Sequence, residues 1–287
     1  MPYRHVVVAV DDSNVSRSAL QWSVALAERG VRRLTVVRVV PVRASRPARG
    51  HLHLRMGEAI KGTEAAGLQS WLDPVVRPAP SSLVLELAIV YGVPGIEIAR
   101  FAEGCGADLL VLGRKPRRAA TRLLLGDTAD SVARRSRIPC GFVPANARSV
   151  QQILAALDGS ERGEVVIDAA VALAQQTDAD IRFVTVEPKQ PGESAELAMG
   201  IPLARTEKIQ RHLADRARRH EQNGVGFQLV VQRGAPVPGV LDAIAATQSD
   251  LLVVGYRRGG PAAVIDAGST ARQLLHAAST VVVTVPI

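Results

Sequence analysis

"GADLLVLGRK" (Gly106–Lys115) and "QSDLLVVGYR" (Gln248–Arg257) lie 142 residues apart and read almost alike. Each is a run of aliphatic residues that begins after an aspartate and ends on a glycine and cations. Such a run, short and apolar throughout, suits a parallel strand covered on both faces. Two copies of one strand raise the question of how far the duplication extends, because internal repeats decide the domain organisation.

The repetition continues in both directions. "VVVAVDDS" (Val6–Ser13) answers "ILAALDGS" (Ile153–Ser160), and Gly92 and Pro94 answer Gly234 and Pro236. "GDTADSVARRSRIPCGFVP" (Gly126–Pro144) answers "GSTARQLLHAASTVVVTVP" (Gly268–Pro286), ending on the same Val-Pro. One unit of about 140 residues is therefore duplicated. The boundary falls near Arg148, giving domains 1–148 and 149–287.

Within each unit, aliphatic runs alternate with helical patterns. The first unit has runs at His5–Val10, Leu34–Val40, Leu83–Val90, Asp108–Leu112 and Pro139–Val143. The second has them at Ile153–Leu157, Ile181–Val186, Phe227–Val231, Leu251–Val254 and Thr280–Val285. Between the first two runs, "SNVSRSALQWSVALAER" opens on capping residues and spaces Ala19, Trp22 and Leu26 along one helical face. The second unit carries a comparable helix through Ala174 and another in "LARTEKIQRHLADRARRH". Alternating strands and helices predict right-handed βαβ units and an α/β fold, a doubly wound five-stranded parallel sheet in each unit.

Composition narrows the class. Hydrophobic residues make up 47% and charged residues 22%, so each half can bury a core. Aromatic residues are only 3%, which leaves Val, Leu, Ile and Ala to build that core. No apolar run is long enough to span a bilayer, and the apolar stretch in "MPYRHVVVAVDDS" is too short for a secretory signal. Cys105 and Cys140 have neither metal nor redox spacing; two free thiols fit a reducing cytoplasm.

Charge is uneven along the chain. Residues 1–148 hold 22 Lys and Arg against 12 Asp and Glu, whereas residues 149–287 hold 13 against 15. The first half could attract an anionic partner. Nucleic-acid binding would want stacking platforms or a known motif, and neither is present.

In doubly wound sheets a ligand sits beyond the carboxyl ends of the strands, where strand order reverses. Two loops per unit carry polar, turn-forming residues there. One is "DDSN" (Asp11–Asn14) or "DGSE" (Asp158–Glu161); the other begins at Gly113 or Gly255. In the second unit, Gly255 is read as the end of a strand that must turn sharply. Gly259 and Gly260 let amides approach an anion, and Gly268, Ser269 and Thr270 stand where the next helix begins. A glycine-rich loop leading into a helix N-terminus is a phosphate cradle, though plain connectors also look like this.

These features together resemble the universal stress protein family in its tandem form, over nearly the whole chain. The resemblance rests on "VDDS" and "LDGS", the Gly-x-Pro pairs, "DLLVLG" and "DLLVVG", and the closing Val-Pro strands. It implies strand order 3-2-1-4-5 in each unit. It also implies ATP binding where the spacing Gly, two residues, Gly, nine residues, Gly, then Ser or Thr is kept. In the second unit Gly255, Gly268 and Ser269 match, while Arg258 replaces the second glycine and Gly259 comes one step late. Asp158 and Gly159 match the loop near the nucleoside, and Val186 the residue whose backbone reads adenine. In the first unit Gly113 and Gly126 match, but Pro116 has no N–H to donate and Asp127 brings a negative charge. That site is expected to be degenerate, with Asp11, Gly113 and Gly126 lining its remnant.

The expectation is a non-enzymatic, adenine-nucleotide-binding stress-response protein. ATP would be held mainly by the second domain, with Mg²⁺ beside Asp11, Asp12 or Asp158. No residue is placed as a base for hydrolysis. The alternative is a nucleotide-independent interaction module, motivated by Pro116, Asp127 and Arg258, whose basic first unit would meet an acidic protein partner. The apolar closing strands at the sheet edges imply, by the same resemblance, pairing of the two units and assembly of chains into dimers. His51 and His53 read as surface histidines on an extended segment, and Pro74, Pro78 and Pro80 as a stiff connector.

Overall fold

Strand β1 (His5–Ala9) is buried at every position, and Val6, Val7 and Val8 have no solvent exposure. A strand with both rows of side chains covered has layers packed on both faces of its sheet. Strand β6 (Cys140–Val143) shares this pattern, as does β5 (Leu109–Gly113) at every residue before Gly113. The computed structural model describes residues 2–41, 51–55, 63–77, 79–115, 127–147, 149–188, 204–220, 228–257 and 269–287. The chain divides into two compact units, Pro2–Ser149 and Val150–Val285.

In the first unit, β1 is flanked in parallel by β2 (Arg33–Pro41) and β5. Next to β2 lies β4 (Val84–Gly92), and next to β5 lies β6, both parallel. The parallel order is thus β4-β2-β1-β5-β6, which is 3-2-1-4-5 counted over those five strands. The order reverses between β2 and β5, on either side of β1. Helix α1 (Asn14–Ala27) packs on β1, β5 and β6, burying Ala19, Trp22 and Leu26 as their spacing predicts. Helix α3 (Pro94–Gly104) packs on β2 and β4, and α4 (Asp127–Arg135) packs on α3.

The second unit repeats the plan. Its strands are β7 (Gln152–Ala156), β8 (Asp180–Glu187), β9 (Gln228–Arg233), β10 (Leu251–Tyr256) and β11 (Val281–Pro286). They lie in the order β9-β8-β7-β10-β11. Helices α5 (Gly163–Thr177), α6 (Ala204–His220), α7 (Pro236–Thr247) and α8 (Ser269–Ala277) connect them. The repeated Gly-x-Pro has one physical reason in both units. Gly92 (φ +148°) and Gly234 (φ +128°) turn the chain out of a strand in a region disfavoured for other residues. Pro94 and Pro236 then open a helix, where a missing N–H does no harm.

Two expectations for the first unit need correction. Its sheet has a sixth strand, β3 (His51–Arg55), paired antiparallel to β4 with His51 opposite Val90 and His53 opposite Ala88. "HLHLR" alternates polar and apolar residues, the mark of an edge strand, and lacks the aliphatic run that marks the other five. The second correction concerns Pro74, which is not part of a connector but lies inside α2 (Thr63–Val76). It sits in the last turn, so it removes a single helical hydrogen bond near the end. Leu68, Leu72, Val75 and Val76 are buried and hold that helix down along one stripe. Pro78 lies outside the described residues. No described helix is long and apolar enough to cross a membrane.

Candidate functional site

The loop after β1 is built around Asp11. Its Oδ1 accepts from the Ser13 backbone N–H at 3.0 Å, from the Ser16 hydroxyl at 2.6 Å and from the Ser13 hydroxyl. In return the Asp11 N–H donates to Ser16 Oγ at 3.0 Å. Ser13 is the N-cap of α1 and accepts from the Ser16 N–H. The "DDSN" loop is therefore a capping network, which is why a carboxylate and two hydroxyls stand at this spacing. Burial raises the Asp11 pKa, but the Ser13 and Ser16 hydrogen bonds, with help from Lys115, outweigh it and leave it below the ordinary value.

Asp12 faces outward and is held by Arg38, from β2, through two parallel bonds of 2.8 Å. Gly113 ends β5 against the first turn of α1. A Cβ there would lie 2.5 Å from the Val15 carbonyl carbon and 2.7 Å from the Ser16 nitrogen. Beyond it, the Arg114 N–H donates to Val143 O at 2.7 Å, and burial pulls the Arg114 guanidinium down to about 10.

These parts enclose a cavity of about 750 Å³ at the carboxyl ends of β1, β2 and β5. This is the topological switch point, where such sheets take ligands. Its lining is mixed: Asp11, Ser16, Arg38, Arg114 and Lys115 are polar or charged, and Val39 and Val40 from β2, Ile98 from α3, and Leu68 and Trp71 from α2 are apolar. A cavity of this volume, apolar with a few charged groups, suits a small organic anion.

The sequence-predicted residues fare differently. In the first unit Asp11 and Gly113 line the cavity, and Thr128 of α4 joins them. Gly126 and Pro116 lie outside the described residues, and Asp127 opens α4 as its position predicts. In the second unit Asp158 accepts from the Ser160 N–H at 2.9 Å, and Gly159 takes φ +74° in the turn. Burial raises the Asp158 pKa, but the Ser160 hydrogen bonds and the nearby Arg257 outweigh it and lower it on balance. Arg257 Nη2 stands 3.8 Å from Asp158 Oδ2. Ser269 and Thr270 begin α8, as expected. Arg258, Gly259, Gly260 and Gly268 lie outside the described residues.

Gly255 does not end its strand, contrary to expectation. It lies within β10, where a Cβ would come 2.9 Å from Ile287 Cδ1 and 3.2 Å from Val166 Cγ2. Its role is close packing against Ile287, just past β11, and Val166 of α5, and not a sharp turn. Val186 is buried beside Gly239, whose Cβ would lie 3.0 Å from it.

Equal strand registers align Ala9 and Val37 with Ala156 and Val184, which brings out how the units differ. Thr185 stands where the first unit has Arg38, Glu187 where it has Val40, and Tyr256 where it has Arg114. Two cations of the first crevice have no counterpart in the second, and a carboxylate replaces a valine. Glu187 is buried and accepts from the Thr206 N–H at 3.0 Å and its hydroxyl at 2.9 Å, pinning the start of α6.

The sequence reading missed Arg38, Val39 and Trp71. Val39 was recoverable, because it occupies the position of Val186 in the other repeat. Arg38 and Trp71 were not, because their relation to the crevice depends on how β2 and α2 pack. A resident Mg²⁺ does not fit the first crevice as built. Asp11 already accepts from two serines and Asp12 is taken by Arg38, and no cluster of three metal-ligating side chains occurs among the described residues.

A family model described as the Universal stress protein family matches the chain twice, over residues 2–144 and 149–286. A universal stress protein of Methanocaldococcus jannaschii is 30% identical over 142 residues, covering 48% of this chain and 79% of that protein. One from Synechocystis sp. is 27% identical over 144 residues, covering 46% of this chain and 92% of that protein. The crystal structure of a universal stress protein from Archaeoglobus fulgidus matches with a TM-score of 0.68 over 98% of both chains. At 14% identity that likeness is one of fold.

Proposed function

The chain belongs to the universal stress protein family, and from that premise we propose that it is a non-enzymatic stress-response protein that binds an adenine nucleotide in the crevice of its first unit. The observation that carries this is the cavity of about 750 Å³ at the switch point, whose lining combines three cations with apolar side chains. Arg38, Arg114 and Lys115 would hold the phosphates, and the Val39 backbone would read the base. The Arg38–Asp12 pair must open, or turn, for Arg38 to reach an anion. Binding would bias a conformation or a protein contact, since a ligand acts by favouring the state it fits better.

A second reading places ATP in the second unit. It is favoured by the spacing of Gly255, Gly268 and Ser269. Against it stand Glu187, Thr185 and Tyr256, which make that crevice less cationic.

Calorimetry with ATP tests both. The wild type takes up ATP, and Arg38→Ala combined with Lys115→Ala weakens it by roughly tenfold or more, as loss of charged hydrogen bonds does. Gly268→Asp leaves this binding in place. The second reading predicts the reverse pattern. No heat from the wild type, with no nucleotide released on denaturation, discards both.

A further inference from the structure

We propose that Gly67 and Trp71 form a slot that selects ligands carrying a flat heteroaromatic ring, so that the first crevice recognises a nucleobase and not only a phosphate tail. This rests on the nucleotide-binding reading above and adds how the base is chosen. Both residues lie on α2 and both line the cavity. They are four residues apart and so share one helical face a single turn from each other.

Gly67 is a glycine in the middle of a helix, where any residue but proline is more favourable. Among the described residues, close packing does not explain it, because a Cβ built there meets none of them within 4 Å. Gly67 is exposed and lines the same cavity as Trp71, one helical turn away. Trp71 is half-buried, and the Arg17 guanidinium carbon lies 5.0 Å from its ring centroid. A cation over one face fixes the indole without filling the cavity. Val39 and Val40 supply the apolar surroundings from β2. An indole, a bare glycine one turn away and an aliphatic wall form a place for a planar ring. Stacking on an aromatic side chain is tolerant of ring identity, which suits a nucleobase.

The experiment uses the full chain with ATP and, as a probe without a base, inorganic tripolyphosphate. Both tryptophans of the protein are in the first unit, so their fluorescence reports there. Trp22 is only 6% exposed and supplies a constant background. ATP should change the emission of the wild type, and tripolyphosphate should not. Trp71→Leu and Gly67→Leu should each weaken ATP about tenfold or more in calorimetry, with Trp71→Phe close to wild type. Tripolyphosphate affinity should be the same in all of them. Gly67→Ala, which adds one methyl clear of the described residues, should melt above the wild type and keep ATP binding. If the wild type binds ATP and both leucine variants bind it equally well, the slot is refuted while nucleotide binding stands. A wild type that does not bind ATP overturns the functional reading and the slot with it.

Discussion

Gly113 and Val15 approach so closely that a Cβ on the glycine would stand 2.5 Å from the valine carbonyl carbon and 2.6 Å from its oxygen. The first turn of α1 therefore rests directly on the end of β5, and this contact forms the floor of the crevice. Gly113→Ala should destabilise the first unit by about 1–3 kcal/mol through overpacking. Gly104→Ala, where a Cβ meets none of the described residues within 4 Å, should be neutral or mildly stabilising. Urea denaturation followed by tryptophan fluorescence separates them, and equal midpoints would contradict the contact.

His5 should make the first unit sensitive to mild acid. Its Nε2 lies 2.9 Å from Thr35 Oγ1, which in turn donates to Glu86 at 3.1 Å, and all three side chains are buried. Burial, then the nearby Arg33, hold the His5 pKa below its ordinary value. The folded state keeps this ring neutral while the unfolded chain protonates it as pH falls through about 6.5. The unfolded state then binds more protons, so this contribution is complete above that pH and is lost below it. Denaturation midpoints between about pH 7 and pH 5 should fall less in His5→Gln than in the wild type. Parallel pH profiles would show that His5 takes no part.

In the second unit, Glu187 anchors the start of α6 through Thr206. Glu187→Ala strands a buried N–H and should remove about 1–3 kcal/mol. The loss should appear as faster hydrogen exchange in α6 ahead of global unfolding. Unchanged exchange at Thr206 and its neighbours would show that the helix is held by its apolar face alone.

Thiol reactivity should separate the two cysteines. Burial pushes Cys140 up to about 12, and burial also raises half-buried Cys105. Thiolate is the reactive form, so native protein should label slowly at Cys105 and not at Cys140. Both should label at once in denaturant. Fast native labelling of Cys140, read by peptide mass, would mean that β6 opens readily.

The duplication and the parallel strands were legible in the sequence; their order came only from the family resemblance. Aliphatic runs such as Val6–Val8 have only one environment that suits them, a sheet covered on both sides. The Gly-x-Pro pairs and the Asp-Ser caps were legible too, because each does a local job that its own neighbours decide. Strand β3 and helix α2 were not. "HLHLR" pairs only because β4 offers it an edge, and Pro74 hides a helix whose buried stripe matters more than its one lost bond.

The crevice followed the same division. Sequence alone placed Asp11 and Gly113 at strand ends, since those are matters of spacing along the chain. That Gly113 and Gly255 serve close packing was decided by segments approaching from elsewhere, Val15 of α1 in one unit and Ile287 with Val166 of α5 in the other. That Arg38, Arg114 and Trp71 meet around one cavity was also decided only in three dimensions. They come from β2, from the residue just past β5, and from α2, and no local pattern records the distance between such segments once the sheet has twisted and its helices have packed.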